Sequence, residues 1–202
     1  VTNTITPTSP TFTQVVAPVA KAASTLTAPV TLDLTTKRGA WVIGRIGRTI
    51  ATALTRSAYI AIRNTNNSGG NYPNTSRDLV SSTTAASVAA TTLNGATSVG
   101  AATSVVTAGT FGIGDMVTQC LSATDATRFE IAKTANVSTT TSTWEQPLIS
   151  AHSNGDLVVN AGDVLRVWVP GGDIYSIWCV NYSGQALIFA VDAIVDNGDT
   201  IT

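Results

Sequence analysis

Apolar and polar side chains alternate most sharply between Val158 and Val191, where three strand-like runs, 164–169, 174–182 and 187–191, are separated by Pro170-Gly171-Gly172-Asp173 and Asn181-Tyr182-Ser183-Gly184. Proline fixes φ, while Gly, Asn and Asp accept the positive φ of tight reversals, so the pattern predicts a three-stranded meander. Leu165, Val167 and Val169 alternate with Arg166 and Trp168, and Leu187, Phe189 and Val191 alternate with Ile188 and Ala190. At least one face of each strand is therefore apolar, and two packed sheets would bury both kinds of face. Upstream, Leu32 and Leu34 flank Asp33, and 41–48 and 58–63 read as two further strands. Gly44 and Gly47 inside the first imply a bulge or a close backbone approach. Arg45 and Arg48 on the same strand are expected to face solvent or a subunit boundary. Asp follows Gly at 114–115, 155–156, 162–163, 172–173 and 198–199, each time before a mostly apolar run, which predicts turn-to-strand junctions.

These elements predict an all-β chain: a jelly-roll-like β-sandwich with an inserted small β domain and an extended N-terminal arm. Residues 1–31 hold Pro7, Pro10, Pro18 and Pro29 among Thr, Ser, Ala and Val. They read either as a free tail or as an arm whose Phe12, Val15, Val16 and Val19 dock on a neighbouring subunit, and the apolar content favours docking. The sandwich body is assigned to 32–66 and 158–202, a low-complexity linker to 67–90, and the inserted module to 91–157. The near-duplicate ATSVGAATSVV at 96–106 is too short for a solenoid repeat and predicts two adjacent strands.

Composition narrows the function classes. Charged residues are 11% of the 202 and the formal net charge is −1, so the chain has no basis for tracking a phosphate backbone, and direct nucleic-acid binding is not expected. A surface poor in charge and rich in Thr, Ser and Ala suits burial against partner subunits. No apolar run reaches the roughly 18 residues of a membrane span, and the first residues lack the blocks of a signal peptide, so no membrane association is expected. Cys120 and Cys179 sit among apolar neighbours and are expected to be buried thiols rather than a disulfide.

Chemistry is sparse. His152 is the single histidine and lies in a loop-like stretch, 150–155, so a histidine-rich metal cluster is excluded. No Ser occupies a strand-turn-helix elbow, no glycine loop is placed to cradle phosphate, and Glu130 and Glu145 are the only glutamates. No catalytic residue and no cofactor are expected, and the dispersed Asp residues do not form the dense acidic loop of a calcium site. Of the four tryptophans, Trp168 and Trp178 are expected in the core and Trp144, between a Thr/Ser run and Glu145-Gln146-Pro147, at the surface as an interface or sugar platform.

Ala96-Thr97-Ser98-Val99, then 109–117 (GTFGIGDMV), Glu130, and 147–158 (PLISAHSNGDLV) together resemble a small β module of tailed-bacteriophage virion proteins. The resemblance covers about a third of the chain, and Thr118 to Asn136 depart from the usual pattern. With the flanking halves of a sandwich, the layout is most like capsid decoration, or cement, proteins. The resemblance implies a virion structural protein on the capsid surface, assembled in the host cytoplasm as a homotrimer, with the major capsid protein as partner. Phe12, Val15, Val16, Val19, Arg45, Arg48 and Trp144 are the candidate interface residues. The alternative is a tail or head-fibre component with a receptor- or glycan-binding role.

Overall fold

The computed structural model describes residues 5–21, 25–26, 30–48, 52–54, 58–64, 77–82, 88–109, 111–120 and 128–201, and these contain strands, turns and irregular segments but no helix. In chain order the strands are β1 (Ile5–Pro7), β2 (Thr11–Lys21), β3 (Thr25–Leu26), β4 (Val30–Asp33), β5 (Gly39–Arg48), β6 (Ala58–Asn64), β7 (Arg77–Ser82), β8 (Ala90–Thr92) and β9 (Thr103–Val105). They continue with β10 (Met116–Cys120), β11 (Glu130–Ser138), β12 (Thr141–Trp144), β13 (Leu157–Val159), β14 (Gly162–Pro170), β15 (Ile174–Asn181), β16 (Leu187–Asp196) and β17 (Asp199–Ile201).

Two sheets form the β-sandwich, one ordered β14-β5-β16-β2 and the other β3-β15-β6-β7, with β4 also paired to β15. Between them lies the main core, in which Leu34, Val42, Ile46, Ile60, Ile177, Leu187 and Phe189 are buried. The predicted meander is corrected here. β14 and β16 both pair with β5, while β15 lies in the opposite sheet against β4 and β6. The chain thus crosses the sandwich at each turn, in jelly-roll manner. The physical reason is that strands apolar on one face gain more by facing one another across a core than by lying side by side.

The third sheet is ordered β8-β13-β10-β11-β12-β9 and draws all its strands from residues 90–159. Its two ends meet: Leu93 bridges to Val106, and the Thr107 and Asn94 amides donate to the Thr92 and Val105 carbonyls. The six strands therefore close into a small barrel around Leu93, Val106, Phe111, Val117, Trp144, Leu148 and Val158. Closure removes the exposed strand edges that an isolated sheet of this size would carry.

The barrel sits on the outer face of the β14-β5-β16-β2 sheet, where Phe129, with Ile131 and Leu157 beside it, packs on Ile188 and Ala190. This contact explains why β16 is an almost unbroken apolar run: Phe189 and Val191 enter the sandwich core while Ile188 and Ala190 are covered by the barrel. It also settles the role of Gly47, whose missing side chain leaves room for the Phe129 ring and the Thr118 methyl; the close-approach reading holds there, and the register of β5 runs without a bulge.

Other expectations are revised. Much of the segment read as an arm is β2, which pairs along β16 of its own chain, with Val15 and Val16 packed against the sandwich core. The stretch read as a linker contains β7, paired with β6; its residues 67–76 and 83–87 lie outside the described residues. Of the near-duplicate pair, only the second copy forms a strand, β9, while the first makes a single bridge from Thr97 to His152. Gly114, Gly155, Gly172 and Gly198 do adopt positive φ immediately before a strand or the residue leading into one, whereas Gly162 opens β14 without it.

Candidate interaction face and a buried histidine clamp

Three of the residues that carry the module resemblance, Glu130, His152 and Asp156, meet in one buried cluster. Glu130, the first residue of β11, accepts hydrogen bonds from the Ile149 amide at 2.7 Å and the Ser150 amide at 3.1 Å, and its Oε2 lies 3.2 Å from His152 Nε2. On the other side of the imidazole, Asp156 Oδ2 lies 3.4 Å from Nδ1, within ion-pair reach but without hydrogen-bond geometry. Asp156 in turn accepts from the Ser153 amide and pairs with Arg128, which also donates to Ser153 Oγ. The sequence places Glu130 at a strand start and His152 in a turn, and it is the pairing of β11 and β13 on either side of β10, with Glu130 and Val158 both opposite Gln119, that brings them together.

What this arrangement does is hold the 147–156 loop. Both Glu130 oxygens are engaged by loop amides, and charge-assisted bonds to buried backbone donors are among the stronger polar contacts a protein makes. The imidazole has a carboxylate on each side and no hydroxyl or thiol nucleophile hydrogen-bonded to it, so the cluster lacks the nucleophile-base pairing of a triad. Among the described residues no group of three His, Cys, Asp or Glu is disposed to hold a metal ion. Asp115 plays a similar part at the next turn, accepting from the Gly112 amide and the Asn160 side chain. His152 is thus a loop histidine, as read, but a buried one.

A second feature lies on the outer face of the sandwich, on the half that the barrel leaves bare. Phe12, Ile194, Trp41 and Trp168 are direct cross-strand neighbours on β2, β16, β5 and β14, so they form one row across the whole sheet. Phe12 is 66% exposed, Trp41 45% and Trp168 36%, and the two indoles meet edge to face with centroids 5.5 Å apart. The next row holds Gln14, Asp192, Ile43 and Arg166. Asp192 is bound to Arg45 at 2.5 Å, and the Arg45 guanidinium also lies over the Phe129 ring, so this ion pair marks the border between the bare half and the covered half.

The predicted interface residues are dispersed by the fold. Phe12 lies on the exposed row. Val15 and Val16 pack against their own sandwich core, and Val19 is half-buried opposite Phe189. Arg45 is held by Asp192, and Arg48 is buried, donating to the Thr52 carbonyl. Arg45 and Arg48 are three apart on one strand and so must face opposite sides; Arg48 follows Ala40, Val42 and Ile46 inwards. Trp144, expected at the surface, is buried in the barrel with Nε1 donating to Ser104 Oγ at 3.0 Å. Trp168, expected in the core, is exposed instead, and Trp178 is half-buried with Arg63 over its ring. The sequence reading missed Trp41 and Trp168 as partners of Phe12; the alternation Trp41-Val42-Ile43 was the available signal, since a buried Val42 turns Trp41 outwards.

No protein-family model matches the chain, and no curated protein matches it. Among solved structures it is similar to a chain of the "VP16-VP17 complex, a complex of the two major capsid proteins of bacteriophage P23-77", with 9% identity, covering 96% of this chain and 99% of that chain. The TM-score is 0.21, a likeness too slight to carry an argument, so the chain's all-β, jelly-roll-like sandwich rests on its own strand pairing.

Proposed function

We propose that this protein is a structural component of a tailed-phage virion, acting as a decoration protein that binds the major capsid protein on the shell surface as a homotrimer. The observation that carries the reading is the use to which the module's motif residues are put: Glu130, His152, Asp156 and Asp115 all secure loops of a closed barrel rather than converge on a substrate. Such a barrel mounted on a charge-poor sandwich, with an aromatic row left bare beside it, is suited to many shallow protein contacts. Closed symmetry multiplies such contacts, because each bound subunit raises the effective concentration of the next. The test is the copy number of the chain relative to the shell protein in purified particles, by quantitative mass spectrometry. A fixed lattice fraction is expected; a few copies per particle, or none, overturns the decoration role.

A second reading, a tail or head-fibre component that binds a receptor or glycan, draws on the exposed Trp41 and Trp168, which replace the buried Trp144 as the only aromatic pair positioned for sugar stacking among the described residues. It predicts low copy number together with quenching or protection of tryptophan fluorescence by oligosaccharide.

A further inference from the structure

We propose that the bare aromatic half of the outer sandwich face is the seat of the barrel loops of a second copy of this chain, so that copies join head to tail. The proposal rests on the structural-protein reading and names the partner of its exposed face.

The face is large enough to need a partner. The exposed portions of Phe12, Trp41 and Trp168 come to about 330 Å2, taking about 150–250 Å2 for each whole aromatic side chain. One side of a standard protein interface buries about 800 Å2, of which a little over half is apolar, so these three side chains alone supply about three quarters of the apolar share of one such side. The same sheet already shows what chemistry covers it. Its other half is buried by apolar side chains from this chain's own barrel, Phe129, Ile131 and Leu157.

The barrel also carries the complementary surface. Val99 and Ile149 are each 67% exposed, on the 96–102 and 147–151 loops. The loops are tied to one another: the Gly100 amide donates to Leu148 O and the Leu148 amide to Ala101 O, at 2.8 and 2.9 Å, and Thr97 bridges to His152. Neither loop contains an Asp, Glu, Lys or Arg, so docking the knob on an aromatic seat strips water from no ionic side chain of its own. The Glu130 clamp holds Ile149 in place, which lowers the entropy lost when the knob docks. A net charge of −1 leaves copies little reason to repel. Because knob and face are different surfaces, the contact is heterologous and closes into a ring where the rotation allows, as a trimer requires.

The test uses the full chain in sedimentation velocity and native mass spectrometry, with three preparations. One is unaltered, one carries Trp41→Ser and Trp168→Ser, and one carries Val99→Asp and Ile149→Asp. The unaltered chain is expected to assemble beyond the monomer, with a blue shift of tryptophan emission as concentration rises. Each double variant is expected to weaken association by about thirtyfold or more, the loss typical of a buried anchor residue. Mixed together, the two variants still own one intact face and one intact knob, so they are expected to form a one-to-one dimer and nothing larger. A monomeric unaltered chain, or unaffected variants, overturns the proposal, and failure of the mixture to pair shows that the two surfaces do not meet. The knob variant changes only exposed loop positions, which keeps the test decisive if the tryptophan variant folds poorly. Particle copy number is independent of all these outcomes, so loss of the ring and loss of the virion role are separately visible.

Discussion

At the scale of single residues, burial is set by the partner across the sheet rather than by the neighbours in sequence. Trp144 follows Thr141, Ser142 and Thr143, which reads as an exposed run, yet Ser142 and Trp144 share the inward face of the barrel while Thr141 and Thr143 are only partly covered. Cys179 shows the opposite outcome, since its apolar surroundings did place it correctly: it is a buried free thiol. Burial pushes that thiol from 9.0 up to about 11, against a smaller opposing pull from the Lys21 charge. A group whose folded pKa lies above its unfolded value adds stability below the unfolded value and loses it as pH rises through the folded one. Unfolding free energy is therefore expected to fall between pH 9 and 11, with Tyr175, raised by burial and by Asp173, adding the same sign at the upper end. In Cys179→Ala the fall should be shallower when urea unfolding is followed across that range; parallel curves for the two proteins would contradict this.

At the scale of elements, the 147–156 loop owes its shape to a carboxylate 17 or more residues away in sequence. Glu130→Gln keeps the size of the side chain but replaces one acceptor oxygen with a donor, so one of the two loop amides at Ile149 and Ser150 faces an NH2 group. Stranding a buried donor costs about 1–3 kcal/mol, and a loss of that size is expected in the unfolding free energy obtained from urea titration. The loss should be local, with hydrogen exchange at the Ile149 and Ser150 amides rising far more than at Phe189 on β16. Uniform acceleration would mean that the clamp supports the whole molecule and not the loop. The edge strand β2 illustrates another element-scale point. Its pairing with β16 is broken by register shifts near Val16, close to Pro18, and both features discourage pairing with further chains along that part of the edge.

For the whole molecule, barrel and sandwich are coupled where Phe129, Ile131 and Leu157 pack on Ile188 and Ala190, with the Phe129 ring over Gly47 and under the Arg45 guanidinium. Gly47→Val places a branched side chain where the Phe129 ring and Thr118 now sit, and overpacking of this kind costs about 1–3 kcal/mol. Calorimetry is expected to show the single transition of the parent resolving into two, as the barrel and the sandwich lose their shared surface. An unchanged single transition would assign the coupling to other contacts. The jelly-roll-like class was legible because strands such as β5 and β14 carry one apolar face and each Gly-Asp turn is local, whereas the placement of the barrel on β16 was visible only as an unexplained excess of apolar residues on a second face.

What the chain's sequence determined by itself is its local structure: strands within 41–48, 58–63, 164–169, 174–181 and 187–191, turns where glycine permits positive φ, and an all-β class with little charge. These follow from backbone sterics and side-chain alternation, which act over a few residues. Only the tertiary structure decided that Arg48 and Trp144 turn inwards, that Glu130 meets His152, and that Phe12, Trp41 and Trp168 line up in one exposed row. Those facts depend on register between strands more than a hundred residues apart in the case of Phe12 and Ile194. Register is chosen by the burial of the whole sheet at once, so no local pattern carries it.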